Sequence, residues 1–163
     1  MTLKERITEN LKAERTQEEQ ARQEREMLEK IAGDSRFDDI PDLLVNEEIN
    51  KMLAELESNV TDQGMDFAKY LESIKKTVAQ LKMEFTQQAI IRIKVALIVR
   101  EVAKQEKIEV SEKEVDDELD KIAAEYEDAE AKKRVYSPQS RDYVSTILRN
   151  RKVIDLLRST IVK

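Results

Sequence analysis

Between Gly64 and Pro138 the chain holds neither glycine nor proline. No residue in that stretch breaks a backbone by its own chemistry, so any change of direction must come from side-chain caps. Two caps stand out. Thr77-Val78-Ala79-Gln80 has the form Thr-x-x-Gln, in which the hydroxyl accepts the amide of the third helical residue and the glutamine reaches back. Ser111-Glu112-Lys113-Glu114 repeats the device, flanked by Val110 and Val115 at the spacing of a hydrophobic staple. One helix therefore starts at Thr77 and ends near Lys107, and another begins near Ser111. The first of these has about 30 residues and, at 1.5 Å per residue, a length of roughly 45 Å.

Its middle is unusual for a chain in which 39% of residues are charged. From Ile90 to Val99 only Arg92 and Lys94 interrupt an apolar run. The alternation Ile91-Arg92-Ile93-Lys94-Val95 also fits a strand, but Ala96-Leu97-Ile98-Val99 breaks it and no turn residue bounds it. Apolar positions at Leu81, Phe85, Ile91, Val95, Ile98 and Val102 keep helical spacing through both flanks. A helix apolar nearly all round is buried on several sides, so its midpoint is expected at the centre of the fold, with Arg92 and Lys94 pointing outward or paired with acids.

The remaining helices follow from simpler signals. Thr2 can cap a first helix whose Leu3, Ile7 and Leu11 form a stripe resumed by Met27, Leu28 and Ile31 before Gly33. Between them, KAERTQEEQARQERE has no apolar residue larger than alanine, which reads as a solvated connector. Pro41 suits a first helical turn, and Leu44, Ile49, Leu53, Leu56 and Val60 carry that helix to a left-handed cap at Gly64. Asp66 can cap a short helix through Phe67, Tyr70, Leu71 and Ile74. Ser137-Pro138 opens a last helix with Tyr143 or Val144, Ile147, Leu148, Ile154 and Leu157 on its stripe. The expectation is an all-α fold of about six helices without a sustained coiled-coil seam, in a single domain spanning 1–163.

Composition excludes much chemistry. With no cysteine and no histidine, thiol nucleophiles, disulfides, imidazole catalysis and the usual zinc sites are unavailable. Two glycines 31 positions apart cannot build a phosphate loop, so no enzyme activity, no metal and no cofactor are expected. Asp116, Asp117, Glu118 and Asp120 lie inside a helix without the ligand alternation of a calcium loop and read as a solvated face. A net charge of −6 argues against a nucleic-acid partner. No apolar run approaches the roughly 20 residues that span a bilayer, so no membrane is expected and a cytoplasmic setting fits.

What remains is apolar surface. Tyr126, Tyr136 and Tyr143 gather around the turn between the last two long helices, and Met65, Phe67 and Tyr70 around the turn after Gly64. Methionine is flexible and tyrosine joins an apolar body to a polar end, which suits adaptable contacts.

These residues sit within a wider resemblance. FDDIPDLLVNEEINKMLAELESNVTDQGMDFAKYLES resembles the start of the C-terminal, chaperone domain of bacterial trigger factor. AIIRIKVALIVREVAKQEKIEVSEKEVDDELDKIAAEYED continues it, LKERITENLKAERTQEEQARQEREMLEKI is similar to the helix that follows the prolyl isomerase domain, and LRNRKVIDLLRSTIVK to the final helix. The resemblance implies a helical body with two protruding arms: a connecting helix at 1–32, body and first arm at 40–109, second arm and closing helix at 110–163. It implies an ATP-independent chaperone that holds unfolded or nascent polypeptides, with Met52, Leu56, Met65, Phe67, Tyr70, Ile74, Tyr126, Tyr136, Tyr143 and Ile147 as client contacts. The ribosome-docking Gly-Phe-Arg loop and the isomerase domain have no counterpart in these residues, so ribosome binding, which would need that missing N-terminal domain, and isomerisation are not carried over. A fragment with Met1 added ahead of it is expected. The alternative is a helical module that forms a homodimer or docks one partner.

Overall fold

The computed structural model describes residues 3–161, with side chains for 6–160. Seven helices and no strand occur among the described residues: α1 Leu3–Asp34, α2 Asp42–Asp62, α3 Phe67–Ser73, α4 Val78–Gln105, α5 Glu112–Ala124, α6 Ala129–Val135 and α7 Pro138–Ile161. The all-α expectation holds, and α4 is one continuous helix of 28 residues through the ambiguous alternation. The Thr2 cap lies outside the described residues.

Caps mark the boundaries as the sequence implies. Gln80 N–H donates to Thr77 Oγ1 at 3.2 Å while Thr77 N–H donates to Gln80 Oε1 at 2.8 Å. At α5 the reciprocal pair joins Ser111 and Glu114. Asp66 accepts from Lys69 N–H at 3.1 Å, and Pro41 is the residue just before α2 rather than inside it. Three helix ends close alike. After α2, Gly64 N–H donates to the Thr61 carbonyl and Met65 N–H to that of Val60, with Gly64 at φ +78°. The same pair of bonds ends α3 around Lys75 at φ 55° and α4 around Lys107 at φ 50°. Each is a Schellman motif, which turns the chain by one left-handed residue. Two of the three use lysine where glycine fits best, so the glycine-free stretch bends without glycine at some local cost.

The count of six helices is corrected by α6, a seven-residue helix inside what the sequence suggested was a turn. Asp128 caps it, accepting from Ala131 N–H at 2.9 Å. Glu130 lies in its first turn and Lys132, Lys133 and Arg134 in its last, so its charges complement the helix dipole.

The helices sort into two compact units, Met1–Glu24 with Ile98–Lys163 and Arg25–Leu97. Residues of α1 and of α4 occur in both. These boundaries differ from the division at 1–32, 40–109 and 110–163.

In the Arg25–Leu97 unit, Val45, Ile49 and Met52 of α2 pack with Ala89 of α4, backed by Ile40, Leu53, Phe85, Ile90 and Ile93. Arg92 crosses from α4 to α2, 2.9 Å from Glu55 and 3.5 Å from Glu48. Lys94 lies 5.1 Å from the centroid of the Phe37 ring, a cation–π contact. Arg92 is thus paired with acids as the sequence suggested, whereas Lys94 is half-buried against a ring, neither outward nor paired with an acid. The apolar run also departs from the expectation. Ile91 and Leu97 are 37% and 43% exposed and Ile90, Ile93 and Val95 half-buried. Burial on several sides is therefore limited: Ala89 and Val99 are enclosed, while most of the larger side chains between them lie partly open.

In the other unit, Val115 and Leu119 of α5 pack on Val144 of α7, with Val110, Ile122, Val135 and Leu148 around them. Val110 and Val115 both join this cluster, as the staple requires. Arg141 of α7 grips Glu112 and Asp116 of α5 at 2.6 Å each. Lys152 donates to the Glu109 carbonyl at 2.9 Å and pairs with Glu114 at 2.7 Å. Arg158 reaches Glu24 of α1 at 3.3 Å.

Candidate functional site

The corner formed by α5, α6 and α7 encloses an open groove of about 400 Å³. Leu119, Ile122 and Tyr126 line it from the α5 side, Ala131, Arg134 and Val135 from α6, and Ser140, Tyr143, Val144 and Ile147 from α7. The spacings i and i+3 on α5, i, i+3 and i+4 on α6, and i, i+3, i+4 and i+7 on α7 each put one helical face toward the opening, and Tyr126 follows just past the end of α5. Leu119 and Val144 form its sealed floor, while Tyr143 stands 68% exposed. The choice left open on the α7 stripe is thereby resolved: Val144 is core and Tyr143 rim.

The corner is held by polar bonds. Ser140 Oγ donates to the Arg134 carbonyl at 2.9 Å, tying α7 to the end of α6. Tyr136 Oη donates to Asp120 at 2.7 Å, and this bond to a carboxylate raises the phenol's pKa. The pairing of Arg141 with Asp116 and Glu112 raises the guanidinium pKa in the same way. Asp116 and Asp120 are thus engaged, and Glu118 pairs with Lys121 at 2.8 Å. No metal-binding cluster of acids occurs among the described residues.

Of the ten candidate contacts, three meet in this groove: Tyr126, Tyr143 and Ile147. Tyr136 is nearby and exposed but turned to Asp120 rather than to the opening. Ile147 also borders a second hollow of about 370 Å³ with Glu24, Asn150, Arg151, Ile154 and Asp155. Four others lie on α3 or just beside its ends in the Arg25–Leu97 unit. There Phe67 and Tyr70 stack with ring centroids 6.1 Å apart, Met65 is 47% exposed, and Ile74 is half-buried. Leu56 is half-buried on α2. Met52 is 5% exposed inside the α2–α4 core, so it packs the unit and offers no surface. Sequence reasoning missed Leu119, Ile122, Ala131, Arg134 and Val135 as lining residues because it missed α6. The Asp128 cap and the cationic last turn were the signal that could have revealed them.

Seven helices, a buried cluster in each unit and shallow apolar hollows define an all-α protein among the described residues. Its sequence matches the profile of the family described as bacterial trigger factor protein (TF) C-terminus over residues 1–159, and the chain belongs to that family. Curated relatives include trigger factors of Geobacillus sp. (strain WCH70), 32% identical over 155 residues, and of Clostridium botulinum (strain Loch Maree / Type A3), 28% identical over 157. That of Clostridium kluyveri is 24% identical over 157 residues. The matches cover 93–95% of this chain and 36% of each relative, so the chain spans about a third of their length. No solved structure matches it. No helix among the described residues is long and apolar enough to cross a membrane.

Proposed function

We propose that the chain is an ATP-independent chaperone domain that holds unfolded or nascent polypeptides in the cytoplasm and catalyses no reaction. The observation that carries this reading is the groove at the α5–α6–α7 corner: apolar, open, and rimmed by tyrosines whose rings accept many side-chain shapes. The stacked Phe67 and Tyr70 with Met65 supply a second weak patch on the other unit. Weak patches on one chain add by multivalency and need no nucleotide. Binding the unfolded state removes it from aggregation by mass action. Membership in the trigger factor C-terminal family supports the same reading.

The test is suppression of aggregation of a thermally unfolded protein by the chain and by a variant carrying Tyr126→Ser, Tyr143→Ser and Ile147→Ser. The variant is expected to lose most protection while keeping its helical circular dichroism. Full protection by a folded variant would remove the groove from the reading. Sedimentation at several concentrations addresses the alternative of a specific dimer, which would bury these tyrosines and protect no unrelated proteins.

A further inference from the structure

The groove has one charged lining residue, and that residue is unpaired. Ala131, Arg134 and Val135 are the α6 positions that face the opening, and nothing charged comes from α5 or α7. Lys132 and Lys133 lie off this face by helical spacing. Asp128 is occupied in capping α6. The arginines that bridge helices elsewhere, Arg92, Arg141 and Arg158, each meet carboxylates. The Arg134 guanidinium makes no ion pair or side-chain hydrogen bond among the described residues. It is a cation at the lip of an apolar hollow with its five donors free.

Resting on the proposed function, we infer that this groove selects apolar client segments that carry an aspartate or glutamate beside their anchoring residues. The anchors fill the hollow over Leu119 and Val144, and the neighbouring carboxylate meets Arg134 in the two-pronged geometry that guanidinium favours. A lysine or arginine in the same place is repelled. Selection by a single charge at the mouth acts on which segment binds, while the apolar floor provides the attraction common to all.

The experiment measures fluorescence anisotropy of dye-labelled, C-terminally amidated peptides with one Leu-Phe-Leu centre and flanks of Asp, Asn or Lys, against the full chain. Affinity is expected to fall from Asp to Asn to Lys by about threefold per step at low salt, with the differences shrinking as the salt approaches 1 M. In Arg134→Gln the Asp and Asn peptides should bind alike, and in Arg134→Glu the order should reverse. Both substitutions are at an exposed position, and circular dichroism checks that the helices persist. Equal binding of all three peptides, or an unchanged order in Arg134→Gln, overturns the inference and leaves apolar holding in place. Failure of every peptide to bind, or binding indifferent to Tyr143→Ser with Ile147→Ser, overturns the inference together with the groove as a client site.

Discussion

Glu114 does two jobs at one point. Its carboxylate closes the Ser111 capping box and pairs with Lys152 of α7. The Lys152 bond, and then the bonds from Ser111, hold its pKa down from 4.5 to about 2. A carboxyl that is more acidic folded than unfolded stabilises the fold above its ordinary value, and that contribution is lost as pH falls from 4.5 toward 2. Thermal melts across that interval should show a steep acid loss in the native chain and a shallower one in Glu114→Gln. Equal slopes would mean that Lys152 does not hold the carboxylate in solution. The sequence made half of this visible. Ser-x-x-Glu specifies a local partner three residues away, whereas Lys152 lies 38 positions on and no local pattern points to it. The same limit explains Met52: periodicity places it on a helix face with Ile49, and only the packing of α4 decides that the face is sealed.

Helix boundaries were the most legible elements because they depend on neighbours in sequence. Thr77, Ser111, Asp66 and Pro138 all mark starts. The ends of α3 and α4 were harder to read, since Lys75 and Lys107 adopt positive φ where composition offers no glycine. That conformation costs a residue with a side chain roughly 1–2 kcal/mol, partly offset by the greater freedom glycine loses on folding. Lys75→Gly and Lys107→Gly should each stabilise the chain by about 0.5–1 kcal/mol in urea unfolding. Gly64→Ala should cost about 1 kcal/mol, from backbone strain alone, because an added Cβ meets nothing within 4 Å. Glycine variants that destabilise would show that the lysine side chains contribute more than their backbone costs. Short α6 escaped notice because only Ala129, Ala131 and Val135 of its seven residues are apolar, and two of them are alanines, too few to establish a period.

At the scale of the molecule, the sequence suggested one domain and the packing divides into two units. Each unit has its own buried cluster, so each should answer to its own core. Leu119, fully buried, and Ile49, 5% exposed, are matched probes. Truncating either to alanine should cost about 2–5 kcal/mol. Amide hydrogen exchange should quicken mainly in α5 and α7 for Leu119→Ala and mainly in α2 for Ile49→Ala. Uniform acceleration in both variants would instead make the chain a single cooperative block.

The tyrosine rim has a practical corollary. The sequence has no tryptophan and four tyrosines, and Tyr126 and Tyr143 border the groove. Much of the ultraviolet glow of this chain therefore originates where a guest would settle. A tryptophan-bearing guest would drain that light by energy transfer, so occupancy could be watched without attaching any dye.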